Sequence, residues 1–296
     1  MTDSLNHLLT QQQELDEIIN QDASGFAVLS DWQAVEVNGE DAETFLQSLL
    51  TNDVKASVSG QAQLNGFCQA KGRLLAIFWL IRREQGFILM LPVDQAAFLA
   101  QRLSMFKLRS KVNITPMTDA AIVAFNQADM PSSASIDTNL TVVLVTEETV
   151  TQLTETGLTQ QPSHAWQQQL LRAGYPMIFA SSREKFTAQQ VNLDIARGVS
   201  FRKGCYPGQE VVARLHYLGE AKRRLFIGEV TSHDLPEAGA DILTKDGEVA
   251  GQLVQSCSIS DTTSLVQLTL KLALAEQTMF INDGVEITEL QQFSEA

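Results

Sequence analysis

Apolar residues recur three and four positions apart over residues 4–20, at Leu5, Leu8, Leu9, Leu15, Ile18 and Ile19, which is the spacing of an amphipathic helix. A second helix is predicted after the Asn38-Gly39 turn. Asp41 and Glu43 suit its positive end, and Phe45, Leu46, Leu49 and Leu50 form its apolar stripe. The unbroken apolar run Leu74 to Ile81 and the run Phe87 to Leu91 flank the polar stretch Arg83-Glu84-Gln85-Gly86, so they read as a hairpin. Ala97, Phe98, Leu103 and Phe106 then place a helix over 94–108. Strand-like AIVAF (121–125) and TVVLV (141–145) are separated by a loop at Met130-Pro131-Ser132-Ser133, and a helix over Trp166 to Ala173 stops at Gly174 and Pro176. Beyond Arg224 the texture changes to short strands: LFIGEV, DILTKDGEVAGQLV with its Asp246-Gly247 turn, and SLVQLTLKLAL.

Helices and strands alternate before residue 225 without regular βαβ spacing, so the first two thirds predict an α+β fold rather than a doubly wound sheet. The tail predicts a small β-domain of about 70 residues. A chain of 296 residues that is 44% hydrophobic can build real cores, which excludes wholesale disorder. Leu74 to Ile81 is the longest apolar run and falls far short of the roughly 20 residues a bilayer requires, so no membrane span is predicted. The amino terminus has no basic start, apolar stretch or cleavage site, and the expected location is the cytoplasm. Cys68, Cys205 and Cys257 stand apart without a CxxC pair, and reduced thiols are expected.

The formal net charge is -14, which disfavours a dedicated nucleic-acid coat. The basic residues nevertheless gather in two islands. Between Lys71 and Lys111 there are eight against two acidic residues, and between Arg197 and Arg224 seven against two. Such islands suit an anionic ligand if they meet in space, and are ordinary solvated faces if they do not. No GxxxxGK[ST], GxGxxG or HExxH occurs, so neither phosphate loop is predicted and no metal site is expected.

The stretch FRKGCYPGQEVVAR, Phe201 to Arg214, carries the most chemistry. Gly204 and Pro207-Gly208 predict tight turns around Cys205 and Tyr206. Gln209 and Glu210 open a short helix in which Val211, Val212 and Leu215 are buried. Arg202 and Lys203 beside Cys205 would favour its thiolate as nucleophile, redox-sensitive thiol or soft ligand; the alternative is a small buried filler.

KGCYPGQE at 203–210 resembles the K-G-C-Y-x-G-Q-E signature of the YgfZ family, folate-binding proteins implicated in tRNA modification and iron–sulfur protein maintenance. Ala70-Lys71-Gly72-Arg73 resembles that family's A-K-G-[KR] turn. Leu46 to Val54, Ala173-Gly174-Tyr175-Pro176, Asn192-Leu193 and Gly198 to Phe201 fit as well. The resemblance covers most of residues 28–225. It implies the fold of the glycine-cleavage aminomethyltransferase, interlocked α+β domains around a central channel with a C-terminal small β-barrel. The implied division is an N-terminal α+β domain at 1–115 completed by 190–220, a second at 116–220 carrying the motif, and a β-barrel at 221–296.

The resemblance also implies tetrahydrofolate or a derivative as cofactor. Trp32 and Trp166 would sit at its rings, and Lys71, Arg73, Arg202 and Lys203, with Tyr206, Gln209 and Glu210, would line the site. Cys205 would be the functional thiol of an accessory protein whose partners are iron–sulfur enzymes, including those that thiolate tRNA. Two positions depart from the pattern: Gln69 and Arg172 stand where relatives often carry acidic residues. A folate-dependent methyl- or aminomethyltransferase is the second reading, with Asp53 or Glu210 as base; Glu210 could equally serve its helix end. Direct tRNA binding through the islands is the third, weakened by net charge and by the lack of an aromatic-basic module in the sequence.

Overall fold

The computed structural model describes residues 3–17, 25–125, 132–137, 140–147, 149–232, 234, 237–281 and 284–293. In chain order the elements are α1 (Asp3–Asp16), β1 (Phe26–Val28), β2 (Trp32–Asn38), α2 (Ala42–Gln47), β3 (Ala62–Cys68), β4 (Leu74–Arg83), β5 (Gly86–Pro92) and α3 (Val93–Ser104). They continue with β6 (Asn113–Met117), β7 (Ala121–Phe125), β8 (Ala134–Ser135), β9 (Thr141–Val145), α4 (Val150–Glu155), α5 (Ser163–Arg172) and α6 (Gln209–Leu218). Six strands close the chain: β10 (Arg223–Thr231), β11 (Asp241–Thr244), β12 (Val249–Ser258), β13 (Thr263–Lys271), β14 (Met279–Ile281) and β15 (Val285–Gln292).

These residues form two compact units. The first comprises 1–47, 53–64 and 78–166, and the second 48–52, 65–77 and 167–296. A five-stranded sheet runs in the order β3-β4-β5-β2-β6. The predicted hairpin is present, with Arg83 paired to Gly86 so that only Glu84 and Gln85 turn. Its first strand is buried without alternation from Leu74 to Ile81, because both faces of the strand are covered. β6 carries Pro116 and lies at the sheet's edge, where a missing N–H costs no ladder bond.

In the first unit a second sheet, β1-β7-β9-β8, packs Phe26, Val28, Val123, Val143 and Val145 against Leu5 and Leu8 of α1. The strands expected at 121–125 and 141–145 are there, and they pair with each other, Ala121 opposite Val145. In the second unit β10-β13-β12-β11-β14-β15 form a closed barrel around Phe226, Ile242, Leu253, Val266, Leu268 and Ile287. The expected small β-domain is therefore a barrel in which β10 pairs on both sides.

Three helix expectations are corrected. The second helix ends at Gln47 although its stripe continues to Leu50, since Leu50 bridges to Phe67 and the Thr51 amide donates to the Gly66 carbonyl at 2.9 Å. α3 ends at Ser104, leaving Phe106 40% exposed. α5 begins at Ser163, because the Asp16 carboxylate accepts from the Ser163 amide at 2.6 Å and hydroxyl at 3.0 Å and so caps the helix. Ile18, Ile19, Met130 and Pro131 lie outside the described residues. Among the described residues no helix is long and apolar enough to cross a membrane.

Candidate functional site

The KGCYPGQE loop and the AKGR turn, about 130 residues apart in sequence, are built against each other in the second unit. Tyr206 to Gln209 form a turn with Pro207 at its second position, Gly208 at φ 82°, and the Gln209 amide donating to the Tyr206 carbonyl at 3.2 Å. A Cβ on Gly208 would lie 2.6 Å from the Gln69 carbonyl oxygen and 2.8 Å from Gly72 Cα. Gly72, at φ 75°, would in turn drive a Cβ to within 2.7 Å of Val211 Cβ. Two glycines thus let two backbones touch.

Gln69 closes its own turn: its side-chain oxygen accepts from the Lys71 amide, while the Gly72 amide donates to the Gln69 carbonyl at 2.9 Å. A carboxylate is not required for that geometry. Gly204 is different from the expectation, for a Cβ there meets nothing within 4 Å. The constraint on the loop comes from Gly208.

This framework holds Cys205 exposed, whereas Cys68 and Cys257 are buried. The buried-filler alternative for Cys205 is excluded. Burial pushes the Cys68 thiol up to about 12, which leaves it protonated at neutral pH. Tyr206 is also buried; its hydroxyl is raised first by that burial and further by Cys68.

Lys203 stands next to the thiol loop but does not face solvent. It is 8% exposed, its Nζ donates to the carbonyls of Leu50 at 2.6 Å and Asn52 at 2.8 Å, and it sits 5.4 Å above the Tyr206 ring. The 50–52 segment is fixed further by Thr51 Oγ1, which donates to the Gly198 carbonyl at 2.6 Å and accepts from the Gly66 amide at 2.8 Å. Arg73 donates to the Lys185 carbonyl. Lys203 and Arg73 therefore spend hydrogen bonds on backbone, and the exposed cations here are Lys71 and Arg202.

Gln189 Nε2 donates to the Val212 carbonyl at 2.7 Å and anchors α6. Along that helix Val212 is fully buried, while Val211 and Leu215, expected to be buried, are only half covered. Gln209 is half-buried and Glu210 exposed in the first turn. Arg172 is exposed in the last turn of α5, where the helix dipole favours a cation. Asp53 caps a short turn, accepting from the Lys55 amide at 3.2 Å and Gln47 Nε2 at 2.9 Å, a structural use of that carboxylate.

The other expected pair lies in the first unit. Trp32 and Trp166 meet edge-to-face with ring centroids 5.3 Å apart and planes at 84°, and they are 9% and 3% exposed. They pack on each other rather than as parallel plates, and the buried Trp166 Nε1 has no acceptor among the described residues.

Asp31, adjacent to Trp32, was not singled out by any sequence motif. Its side chain keeps a solvent-facing side while protein crowds it on the other. Burial is the main cause that raises it from 3.8 to about 6, with its own backbone amide opposing and Asp16 adding. Between those values the folded chain holds a proton that the unfolded chain has released, so this group removes stability as pH rises through the window. Asp31→Asn is expected to gain stability on wild type as pH rises from 4 to 6 and to track it below, as read by urea denaturation. A difference constant with pH would mean that the carboxyl titrates normally.

Of the first basic island, Arg82 pairs with Glu43 at 2.8 Å and Lys111 with Glu40 at 2.7 Å. In the second, Arg224 pairs with Asp194 at 3.0 Å. The solvated-face reading thus accounts for part of each.

The architecture defines the class: an α+β chain ending in a closed six-stranded barrel, with the fold of glycine-cleavage aminomethyltransferase T. Superposed on the crystal structure of that protein from Bartonella henselae, it gives a TM-score of 0.68 over 97% of this chain and 88% of the other, at 14% identity. No protein-family model matches the chain. Within the class, the chain belongs to the family of tRNA-modifying protein YgfZ. It is 32% identical over 281 residues to that protein from Yersinia pseudotuberculosis serotype O:1b (strain IP 31758), covering 83% of this chain and 84% of the relative. The YgfZ of Vibrio atlanticus (strain LGP32) is 29% identical over 245 residues, 76% of this chain and 74% of the relative.

Proposed function

We propose that the protein binds tetrahydrofolate or a derivative and supports iron–sulfur enzymes, including those that thiolate tRNA, through the Cys205 thiol. The observation that carries this reading is Cys205 itself, the one exposed cysteine, presented on a loop fixed by the Gly208–Gly72 contact. An exposed thiol on a rigid loop suits a nucleophile or a soft ligand, and Lys71 and Arg202 are the exposed cations of its two motifs. The tRNA-modifying name of the relatives supports the tRNA context.

The residues of the first unit fit a pterin. Trp32 offers apolar ring surface, the unanswered Trp166 Nε1 is a donor, and the Asp31 carboxyl can accept from ring N–H and amino groups. Bound tetrahydrofolate would supply a nitrogen that carries one-carbon units. In this reading Trp32 and Trp166 hold the rings and Asp31 orients them. Arg73, Lys203, Tyr206 and Gln209 position the thiol loop, and Glu210 steadies the start of α6.

Tetrahydrofolate titrated into the full chain is expected to quench tryptophan fluorescence saturably, and Trp32→Ala to weaken that binding at least tenfold. Cys205→Ser is expected to keep folate affinity within twofold and to abolish support of tRNA thiolation in cells lacking the wild-type chain. Undiminished thiolation by the serine variant would remove the thiol from this reading. Absence of saturable quenching and of calorimetric heat would remove folate.

A further inference from the structure

We propose that the exposed half of α6 in the second unit, with Phe201 beside it, is a binding surface for single-stranded RNA. Phe201 and His216 stack face to face with centroids 3.6 Å apart and planes at 10°. Tyr217 closes the group edge-on, 4.7 Å from His216 and 6.2 Å from Phe201, and its hydroxyl donates to the Phe201 carbonyl at 3.4 Å. Tyr217 is 64% and Leu218 83% exposed. A solvated helix face has no packing need for such residues, and this trio is already ordered, so a base laid on it costs little side-chain freedom.

Charge selects the occupant. Arg197, Arg202, Arg214 and Lys222 are exposed, and none of them forms an ion pair among the described residues. Arg214 lies three residues before Tyr217, on the same side of the helix. Glu210 and Glu220 are the opposing charges on this stretch. Cations beside flat aromatic faces match a polymer that alternates phosphates with bases, whereas an acidic peptide would use the cations alone.

A cavity of about 640 Å³ opens from the same helix, its lining including Leu215, Leu272, Gln189 and Lys222 and also the carboxylates Asp194 and Glu220. Gln189 is 2% exposed and its Oε1 accepts no hydrogen bond among the described residues. The apolar side chains Leu215 and Leu272 together with the unanswered Gln189 acceptor suit an unstacked base bearing an amino or ring N–H donor, and Lys222, Arg224 and Lys271 offset the carboxylates of Asp194 and Glu220. Of the cations on this surface, the folate-and-thiol reading uses only Arg202.

The test is fluorescence anisotropy of the full chain with a labelled mixed-sequence 12-nucleotide RNA. Saturable binding is expected, and three phosphate contacts would weaken it about 20-fold between 50 and 200 mM salt. Tyr217→Ala and His216→Ala should each lower affinity about tenfold with the salt slope unchanged, and Tyr217→Phe should restore most of it. Arg214→Ala should flatten the slope. Unchanged thermal midpoints establish that these exposed variants fold. No saturable binding at 50 mM salt, equal affinity of Tyr217→Ala, or equal binding of dextran sulfate would each overturn the proposal. So would tighter binding of a duplex, or displacement of the RNA by an acidic peptide at equal charge.

Discussion

Gly208→Ala is expected to destabilise the protein by about 3 kcal/mol. Two costs add. An L residue at φ 82° is strained, and the new Cβ would sit 2.6 Å from the Gln69 carbonyl oxygen and 2.8 Å from Gly72 Cα, both backbone atoms with no rotamer to yield. Relief requires the AKGR turn and the KGCYPGQE loop to part, so the exposure and reactivity of Cys205 should change with stability. Gly204→Ala is the control, because the same methyl group there meets nothing within 4 Å and should stay within about 0.5 kcal/mol of wild type. Urea denaturation with timed alkylation of Cys205 reads both effects. Equal costs at 204 and 208 would show that the backbone contact is not what holds the loop.

Lys203→Met is expected to cost about 4 kcal/mol, since hydrogen bonds to a charged group contribute about 1.5–3 kcal/mol each and two carbonyls lose their donor. Methionine keeps the packing of the aliphatic stem, so the loss isolates the ammonium. Its effect should centre on residues 50–52, which the ammonium ties to the motif loop through the carbonyls of Leu50 and Asn52. Amide exchange should therefore rise at residues 50–54 before it rises in the barrel. A loss below 1 kcal/mol, or exchange rising first in the barrel, would place the strength of this region elsewhere.

Much of the fold was legible from local pattern. The hairpin at 74–91 and the strands at 121–125 and 141–145 are dictated by runs of apolar and β-branched residues that no helix could bury on one face. The limits of helices were less so, because distant residues set them. Asp16 starts α5 from 147 residues away, and Leu50 leaves its helix to bridge Phe67. At the site, the motif's glycines pointed to a constrained loop, but only the fold shows that Gly208 carries the constraint and Gly204 does not. Lys203 read as a cation that favours the Cys205 thiolate and lines the ligand site, because sequence carries no record of which carbonyls wait for it. Asp31 left no signal at all: its character comes from the protein packed around it, not from its neighbours in the chain. The Phe201–His216–Tyr217 group was hidden for the opposite reason, being assembled from a loop and a helix whose aromatic residues are fifteen positions apart.

The barrel is sealed by its last strand. β15 pairs with both β10 and β14, and the Phe293 carbonyl accepts from Asn192 Nδ2 at 3.3 Å. A chain cut short before Val285 would present two unpaired strand edges at once, bare templates for another copy to add to. Termination ahead of β15 would therefore surface as insoluble protein, long before any question of lost chemistry arose.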